Sequence, residues 1–458
     1  MTTQRPGSSK KEFIVRTVVF ILFLALNLWF ILIHEPWRDE IHAWLMAKYM
    51  SPVEMIEFSS YEGHPLLWHF MLMPFAKLGA PVWTMHVISY ITVAASAYLM
   101  LFKTKMNYIV QSVIVLFVPF IFIYSSVARN YCLILLLTMI IAVMYDDRYK
   151  HPFLYSIPIA LMVFTHGCAW GLVAGLTVTF HIYELYRVIT GKVRKADSKV
   201  IQTTAGLAVI AISSITAVLT IYSSRSVGYF SGGDGKTDIT ILSMVLIMVM
   251  AIVITILMKG KIWRETVVLV MAYSFMIVIY KISYSSVILQ RLLLIQVFLL
   301  LFVICIRQDD NKKINVAALA VYFLSFLVSG AVFDTFEAVR WDVTGHYSSA
   351  EEMADYINRN LPDEDMILVD AGIYAQTMVP YTDKKLYDIN YKEYITDSLY
   401  CMDDTDAIYA AIFDIPKHPE YKGRYLVLRY RIENSPFDEI YRTSDSYTGE
   451  EFTLFFIK

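Results

Sequence analysis

Charge is scarce in this chain. Only 17% of its 458 residues are Asp, Glu, Lys or Arg, while 57% are hydrophobic and the mean hydropathy is +0.52. Soluble domains carry about 25% charged residues, so most of this chain belongs in lipid rather than water. Cysteine is almost missing too: Cys132, Cys168, Cys305 and Cys401 are the whole set. Three lie in apolar runs, and no disulfide framework or zinc-type spacing is available among them. No small-residue cleavage site follows the first apolar run, Thr17 to Ile33, which passes straight into His-Glu-Pro-Trp, so the run reads as an uncleaved span. Internal repeats are lacking as well.

The net charge of −2 hides a split. Residues 1–333 carry 27 Lys/Arg against 16 Asp/Glu, whereas residues 334–458 carry 12 against 25. The environment therefore changes near Asp334, from apolar and basic to polar and acidic. An acidic tail domain does not suggest nucleic acid as a partner.

A bilayer crossing takes about 20 apolar residues. Eleven segments qualify: Ile14–Ile33, Val82–Phe102, Tyr108–Tyr124, Asn130–Tyr145, two halves of Pro152–Leu185 broken at Thr165-His166-Gly167, Val200–Ile221, Ile239–Met258, Glu265–Ile282, Val287–Ile306 and Ile314–Phe333. Pro65–Leu78 is apolar but short and stops at Gly79-Ala80-Pro81, so it is expected to lie on the membrane surface. With that segment not crossing, 19 Lys/Arg fall in cytoplasmic segments and eight outside. That asymmetry places the N-terminus inside and the C-terminal domain outside.

Against this apolar background, residues 34–65 stand out. The stretch opens His34-Glu35-Pro36-Trp37-Arg38-Asp39-Glu40-Ile41-His42 and closes Tyr61-Glu62-Gly63-His64-Pro65. Carboxylates and imidazoles take protons, hold cations and orient sugars. At the edge of a low-dielectric medium their charge interactions strengthen. Arg129-Asn130-Tyr131, the turn at His166, the loop containing Arg225, and Arg291 fall on the same outer face, where ionisable groups at span ends mark a pathway or site. Interfacial anchoring is the plainer alternative for Arg129 and Arg291, and a capped turn for His166.

Residues 340–458 read as a compact α/β appendage, about long enough for one domain. Ala350–Asn360 is expected as an amphipathic helix ended by Leu361-Pro362-Asp363. Met366–Asp370, Arg424–Ile432 and Glu451–Ile457 are expected as strands.

Taken together, an Asp-Glu pair after the first span and a later Glu62-Gly63-His64-Pro65-Leu66-Leu67-Trp68 signature resemble the C-type (GT-C) glycosyltransferases. The branch that looks most similar is the protein-mannosyltransferase and aminoarabinose-transferase group. Arg129-Asn130-Tyr131 resembles that group's outer Arg-x-Tyr, His166-Gly167 its His-containing outer turn, and Arg291 its late outer-leaflet arginine. The resemblance covers residues 13–333 and the outward domain. It implies a GT-C-like α-helical polytopic membrane protein of about 11 transmembrane helices, residues 1–333, with 34–81 as the outer catalytic loop, and a small extracytoplasmic α/β domain over 340–458. It also implies a cell-membrane enzyme taking a sugar from a polyprenyl-phosphate donor to an extracytoplasmic acceptor, whether glycan, lipid or protein.

The resemblance gives Asp39 the role of base, with Glu40, Glu62 and His64 beside it, and gives the donor phosphate to Arg129, Tyr131 and Arg291. His166 and Arg225 are further outer-face residues. A divalent metal, Mg or Mn, is left open, with Asp39, Glu62, His64 and His166 as its candidate ligands. The chain has one proline after His64 rather than two, and no Trp-Trp-Asp motif, which argues against an oligosaccharide transferase. The alternatives are a lipid-linked sugar flippase or other transporter, and a polysaccharide polymerase or ligase.

Overall fold

The computed structural model describes residues 10–62, 65–192, 198–221, 235–282, 289–306, 312–370, 372–396, 415–429 and 436–458. Nineteen α-helices precede or accompany one small sheet among these residues. The first four form the floor around the polar loop: α1 Lys10–Ile33, α2 Arg38–Tyr49, α3 Pro52–Glu62 and α4 Leu67–Lys77. Helices α5 Thr84–Tyr98, α6 Tyr108–Val115, α7 Val118–Ile121, α8 Ile123–Ser126 and α9 Tyr131–Met144 follow, then α10 Pro152–Met162, α11 Trp170–Leu176 and α12 Tyr183–Ile189. The long α13 Ser198–Ile221, α14 Gly235–Leu257 and α15 Trp263–Ile282 lead to α16 Leu289–Ile306, α17 Lys312–Val328 and α18 Ala331–Thr344.

Among the described residues, six helical stretches are long and apolar enough to cross a membrane: Lys10–Ile33, Thr84–Lys103, Gly167–Ile189, Ser198–Ile221, Asp238–Leu257 and Trp263–Lys281. Two bent pairs, Tyr108–Val115 with Pro119–Ser126 at 64° and Leu319–Leu327 with Ala331–Thr344 at 61°, raise the number to eight. The eleven expected crossings all coincide with helices, but the other three correspond to α9, α10 and α16, of which α9 and α10 run only 14 and 11 residues. An apolar run read along the sequence overstates a crossing when the backbone bends. Pro119 at the start of the second half of the first bent pair lacks the N–H that would continue the ladder. Gly330, at φ +74°, turns the chain between α17 and α18 in a conformation a residue with Cβ adopts only with strain.

Small residues set a close helix contact. Gly171 and Gly175 face α15 four residues apart on α11. A Cβ on Gly175 would lie 2.8 Å from the Val268 Cα, and one on Gly171 would lie 2.8 Å from the Met271 carbonyl oxygen. This is the close backbone approach that a Gly-x-x-x-Gly stripe permits in apolar surroundings. Helix α4 lies where the surface helix was expected. It buries Trp68, His69, Leu72 and Ala76 while leaving Phe70, Phe75 and Leu78 exposed.

The C-terminal unit begins with α19 Ala350–Asn360 and β1 Met366–Asp370, both at the expected bounds. The sheet continues through β2 Lys385–Asp388, β3 Glu393–Tyr394, β4 Tyr425–Leu428, β5 Asp438–Arg442 and β6 Thr453–Phe456, in the order β3-β2-β1-β4-β6-β5. Strand β1 is parallel to β2 and β4, and the outer pairings are antiparallel. Within the strand expected at 424–432, β4 covers Tyr425–Leu428 and residues 430–432 lie outside the described residues, while 453–456 replaces 451–457. Strands β2, β3 and β5 carry the polar, short-edged character that hides strands from periodicity. Helix α18 runs through the interval between the two expected domains and ends at Gly345.

Candidate functional site at the start of helix α2

Helix α2 opens with two acidic residues in its first turn, Asp39 and Glu40. That end of a helix carries unsatisfied N–H groups and a partial positive charge, so carboxylates are stabilised there. One helical step separates them by about 100° around the axis, and the two side chains meet different surroundings.

Asp39 points to a partly open place, with its side chain 18% exposed. Its Oδ1 accepts from Arg38 Nε at 2.9 Å and from Arg38 Nη2 at 2.6 Å, and its Oδ2 is paired with Arg129 Nη1. Asp39 and Arg129, expected on the same face but in separate roles, form a direct ion pair across 90 residues of sequence.

Glu40 is wholly enclosed. Oε1 accepts from the Ala128 N–H at 2.6 Å and faces His86 Nε2 at 3.2 Å. Oε2 accepts from the Trp37 N–H at 3.2 Å and faces His34 Nε2 at 3.1 Å. His34 turns its other nitrogen, Nδ1, to Asp342 Oδ2 of α18 at 2.8 Å. Burial alone would raise the Glu40 pKa, but His34 and then His86 overcome it and hold the carboxyl down at about 2. Burial alone would likewise lower His34, and Asp342 and Glu40 overcome it to push the imidazole up to about 10. Both shifts keep opposite charges together in a place that excludes water.

Two further turns close around this node. Asn130 Nδ2 donates to the Thr165 carbonyl at 2.8 Å, and the Leu67 N–H donates to the Phe164 carbonyl at 3.1 Å. These bonds tie the 127–130 turn, the 164–166 turn and the start of α4 to one another. His166 accepts the Cys168 N–H on Nδ1 at 3.0 Å, so it does cap a short turn. Its ring also lies 5.6 Å from that of Tyr131. Among the expected site residues, Asp39, Glu40, Arg129, Tyr131 and His166 thus fall in one region. Glu62 is the last residue of α3, and Arg291 lies in the first turn of α16. The side-chain placements of Glu62 and Arg291 lie outside the described residues, as do His64 and Arg225 altogether.

The C-terminal domain supplies partners that the sequence did not announce. Arg38 donates its backbone N–H to Glu450 Oε1 at 2.9 Å, and its guanidinium lies 5.1 Å from the Tyr374 ring centre. Arg429 sits 3.3 Å over the same ring. His42 Nδ1 meets Gln376 Oε1 at 2.8 Å, and Glu35 accepts from the N–H groups of Tyr347 and Ser348 at 2.9 and 3.3 Å while facing His346 Nδ1 at 2.8 Å. The loop singled out at 34–42 is thus the seat on which the second domain rests. Glu450 is fully buried, and burial lifts its carboxyl to about 7 against the opposing pull of Ser348, Arg38 and Arg429.

His34, Glu35 and Arg38 were quoted in the loop without roles, and His86, Asp342, Tyr374, Gln376 and Glu450 were not singled out. A signal for His86 existed, since an ionisable side chain near the end of an apolar span marks a site by default. The partners in the C-terminal domain carry no local pattern. A cavity of about 180 Å³, lined by His181, Arg187 and Lys199 among others, opens elsewhere, at the end of α10 opposite His166.

Comparison of the chain with models of protein families, with curated proteins and with solved structures gives no match.

Proposed function

We propose that the protein is an integral-membrane glycosyltransferase that moves one sugar from a polyprenyl-phosphate carrier to an acceptor outside the cytoplasm, with its N-terminus inside and its C-terminal domain outside. The observation that carries this reading is the Asp39–Arg129 pair, a partly exposed carboxylate joined to a guanidinium at the start of α2. The acceptor hydroxyl attacks the anomeric carbon, the bond from that carbon to the phosphate oxygen breaks, and the hydroxyl proton passes to Asp39. Arg129 and Arg291 take up the charge left on the carrier phosphate. For Asp39 to act, Arg129 must turn toward the phosphate, and the same ion pair supplies the means, because an incoming anion competes for that guanidinium. Glu40 is given a positioning role, since its four hydrogen-bonding contacts leave it facing away from solvent.

The test is incubation of the purified chain with a set of labelled polyprenyl-phosphate sugars. Asp39→Asn is expected to lower turnover by about 10² to 10⁴-fold, the usual worth of a general base, with an unchanged melting temperature. Arg291→Ala should raise the donor KM strongly and Arg291→Lys partially, because lysine keeps the charge and loses the fork. Unchanged turnover in a folded Asp39→Asn variant sinks the assignment of the base. The rival, transport of a lipid-linked sugar, draws on the two bent helix pairs, since broken helices line many transport pathways. Movement of intact donor across a vesicle, with no sugar transferred, would select it.

A further inference from the structure

The contacts around Glu40 raise a question of charge. Each of its oxygens already receives one backbone N–H, from Ala128 or Trp37, and each then faces an imidazole Nε2, at 3.2 Å for His86 and 3.1 Å for His34. A bare imidazole nitrogen and a carboxylate oxygen at that separation repel one another. Something positive must lie between them, and the choices are one proton in each gap or one cation serving both. Asp342 adds a second buried carboxylate beside the first, so the node needs two positive charges for balance.

We infer that His34 Nε2, Glu40 and His86 Nε2 form a binding site for one transition-metal dication of the zinc class. The three donor groups come from the α1–α2 link, α2 and α5, and their ligand atoms lie within 4.8 Å of one another. An ion bound tetrahedrally at about 2.0 to 2.1 Å from nitrogen and oxygen spans ligand-to-ligand edges of about 3.3 Å. The two gaps, one on each Glu40 oxygen, reach that value with shifts of a few tenths of an ångström, while the edge between the two imidazole nitrogens, within 4.8 Å, has to close toward it. Asp342 Oδ2, 2.8 Å from His34 Nδ1, stands where a carboxylate accepts the far N–H of a metal-bound histidine, fixing the tautomer that leaves Nε2 free to ligate. The Ala128 and Trp37 N–H groups hold the Glu40 carboxylate in place from behind. With a dication present both imidazoles are neutral, and the charges of Glu40 and Asp342 are balanced.

The donor set also selects the ion. Two imidazoles and one carboxylate suit zinc and its first-row neighbours, whereas magnesium and calcium take oxygen ligands. The site thus differs from the Mg or Mn expectation both in its ion and in its residues, since of the expected ligands Asp39 is engaged by two guanidinium groups and His166 by a turn. Three protein ligands leave a fourth position on the ion. The inference stands apart from the sugar-transfer reading, because metal content is measured without donor or acceptor.

The experiment is elemental analysis of the full-length chain purified in detergent without chelators, followed by stripping with a strong chelator and titration with Co²⁺. About one zinc-class ion per chain is expected, lost on stripping, with cobalt restoring one equivalent and giving the visible absorption of a tetrahedral or five-coordinate nitrogen–oxygen site. His86→Asn is expected to abolish the stoichiometric uptake while Asp39→Asn retains it. The cobalt titration of the wild-type chain gives an answer even where the His86 variant fails to fold. A chain that is purified metal-free and shows no stoichiometric cobalt spectrum overturns the inference and leaves two protons in the gaps.

Discussion

Replacing Glu450 with glutamine should stabilise the protein in mild alkali and change its stability little in mild acid. The side chain lies at the seam between the domains, accepting from the Arg38 N–H at 2.9 Å and from the Ser348 hydroxyl at 2.7 Å. Burial raises its pKa from 4.5 to about 7, with the nearby charged groups Arg38 and Arg429 opposing. A raised folded-state value means that the folded chain binds the proton more tightly than the unfolded chain. Stability is therefore greatest below the unfolded value and falls as pH rises toward the folded one, after which it levels off. A shift of about 2.5 units corresponds to about 3 kcal/mol between those limits. Glutamine keeps the shape, can accept from Arg38 through its oxygen, and can donate to the Ser348 oxygen through its amide. Thermal unfolding in detergent at pH 5 and pH 8 reads the difference between Glu450→Gln and wild type, which cancels the titration of distant groups. At pH 5, just above the unfolded value of 4.5, the variant should lie within about 1 kcal/mol of wild type, and at pH 8 it should melt clearly higher. A variant that melts lower than wild type at pH 8, or that shows the same dependence on pH, refutes the reasoning.

Gly175→Val should lower the melting temperature, because its side chain would meet the Val268 backbone at 2.8 Å and no rotamer change can move a backbone atom. Overpacking of this kind costs about 1 to 3 kcal/mol, and an unchanged melting temperature would mean that α11 and α15 are not packed as described. For orientation, a reporter fused after Lys192 should read as cytoplasmic and one fused after Lys458 as extracytoplasmic, with the reverse pair of readings overturning the charge-based topology.

How far the sequence reached differs between the two halves. In the C-terminal domain, Ala350–Asn360 and Met366–Asp370 were legible to the residue, because an amphipathic helix and a buried strand each leave a clean period. Strands β2, β3 and β5 were not, since their stability comes from neighbours in the sheet rather than from their own pattern. In the membrane part, apolar length located the helices and the break at Thr165-His166-Gly167, but not the bends near Pro119 and Gly330. At the site, Asp39, Glu40, Arg129 and His166 were legible as polar groups out of place in an apolar chain. The division of labour between Asp39 and Glu40 was not legible. It follows from one helical step and from His86 and Asp342, which lie 46 and 302 positions away from Glu40 in the numbering.

The docking of the second domain on α2 also fixes when the region can be completed. His34 is made early in synthesis, but its partner Asp342 follows 308 residues later and the Glu450 that receives the Arg38 N–H follows Arg38 by 412. Contacts of such long sequence separation form late in folding. Until nearly the whole chain has been made, His34 lacks its Asp342 partner and the Arg38 N–H lacks its Glu450 acceptor. A product truncated anywhere before Glu450 leaves that seat unfinished, so arrangement of the Asp39–Arg129 neighbourhood becomes a check on the integrity of the polypeptide.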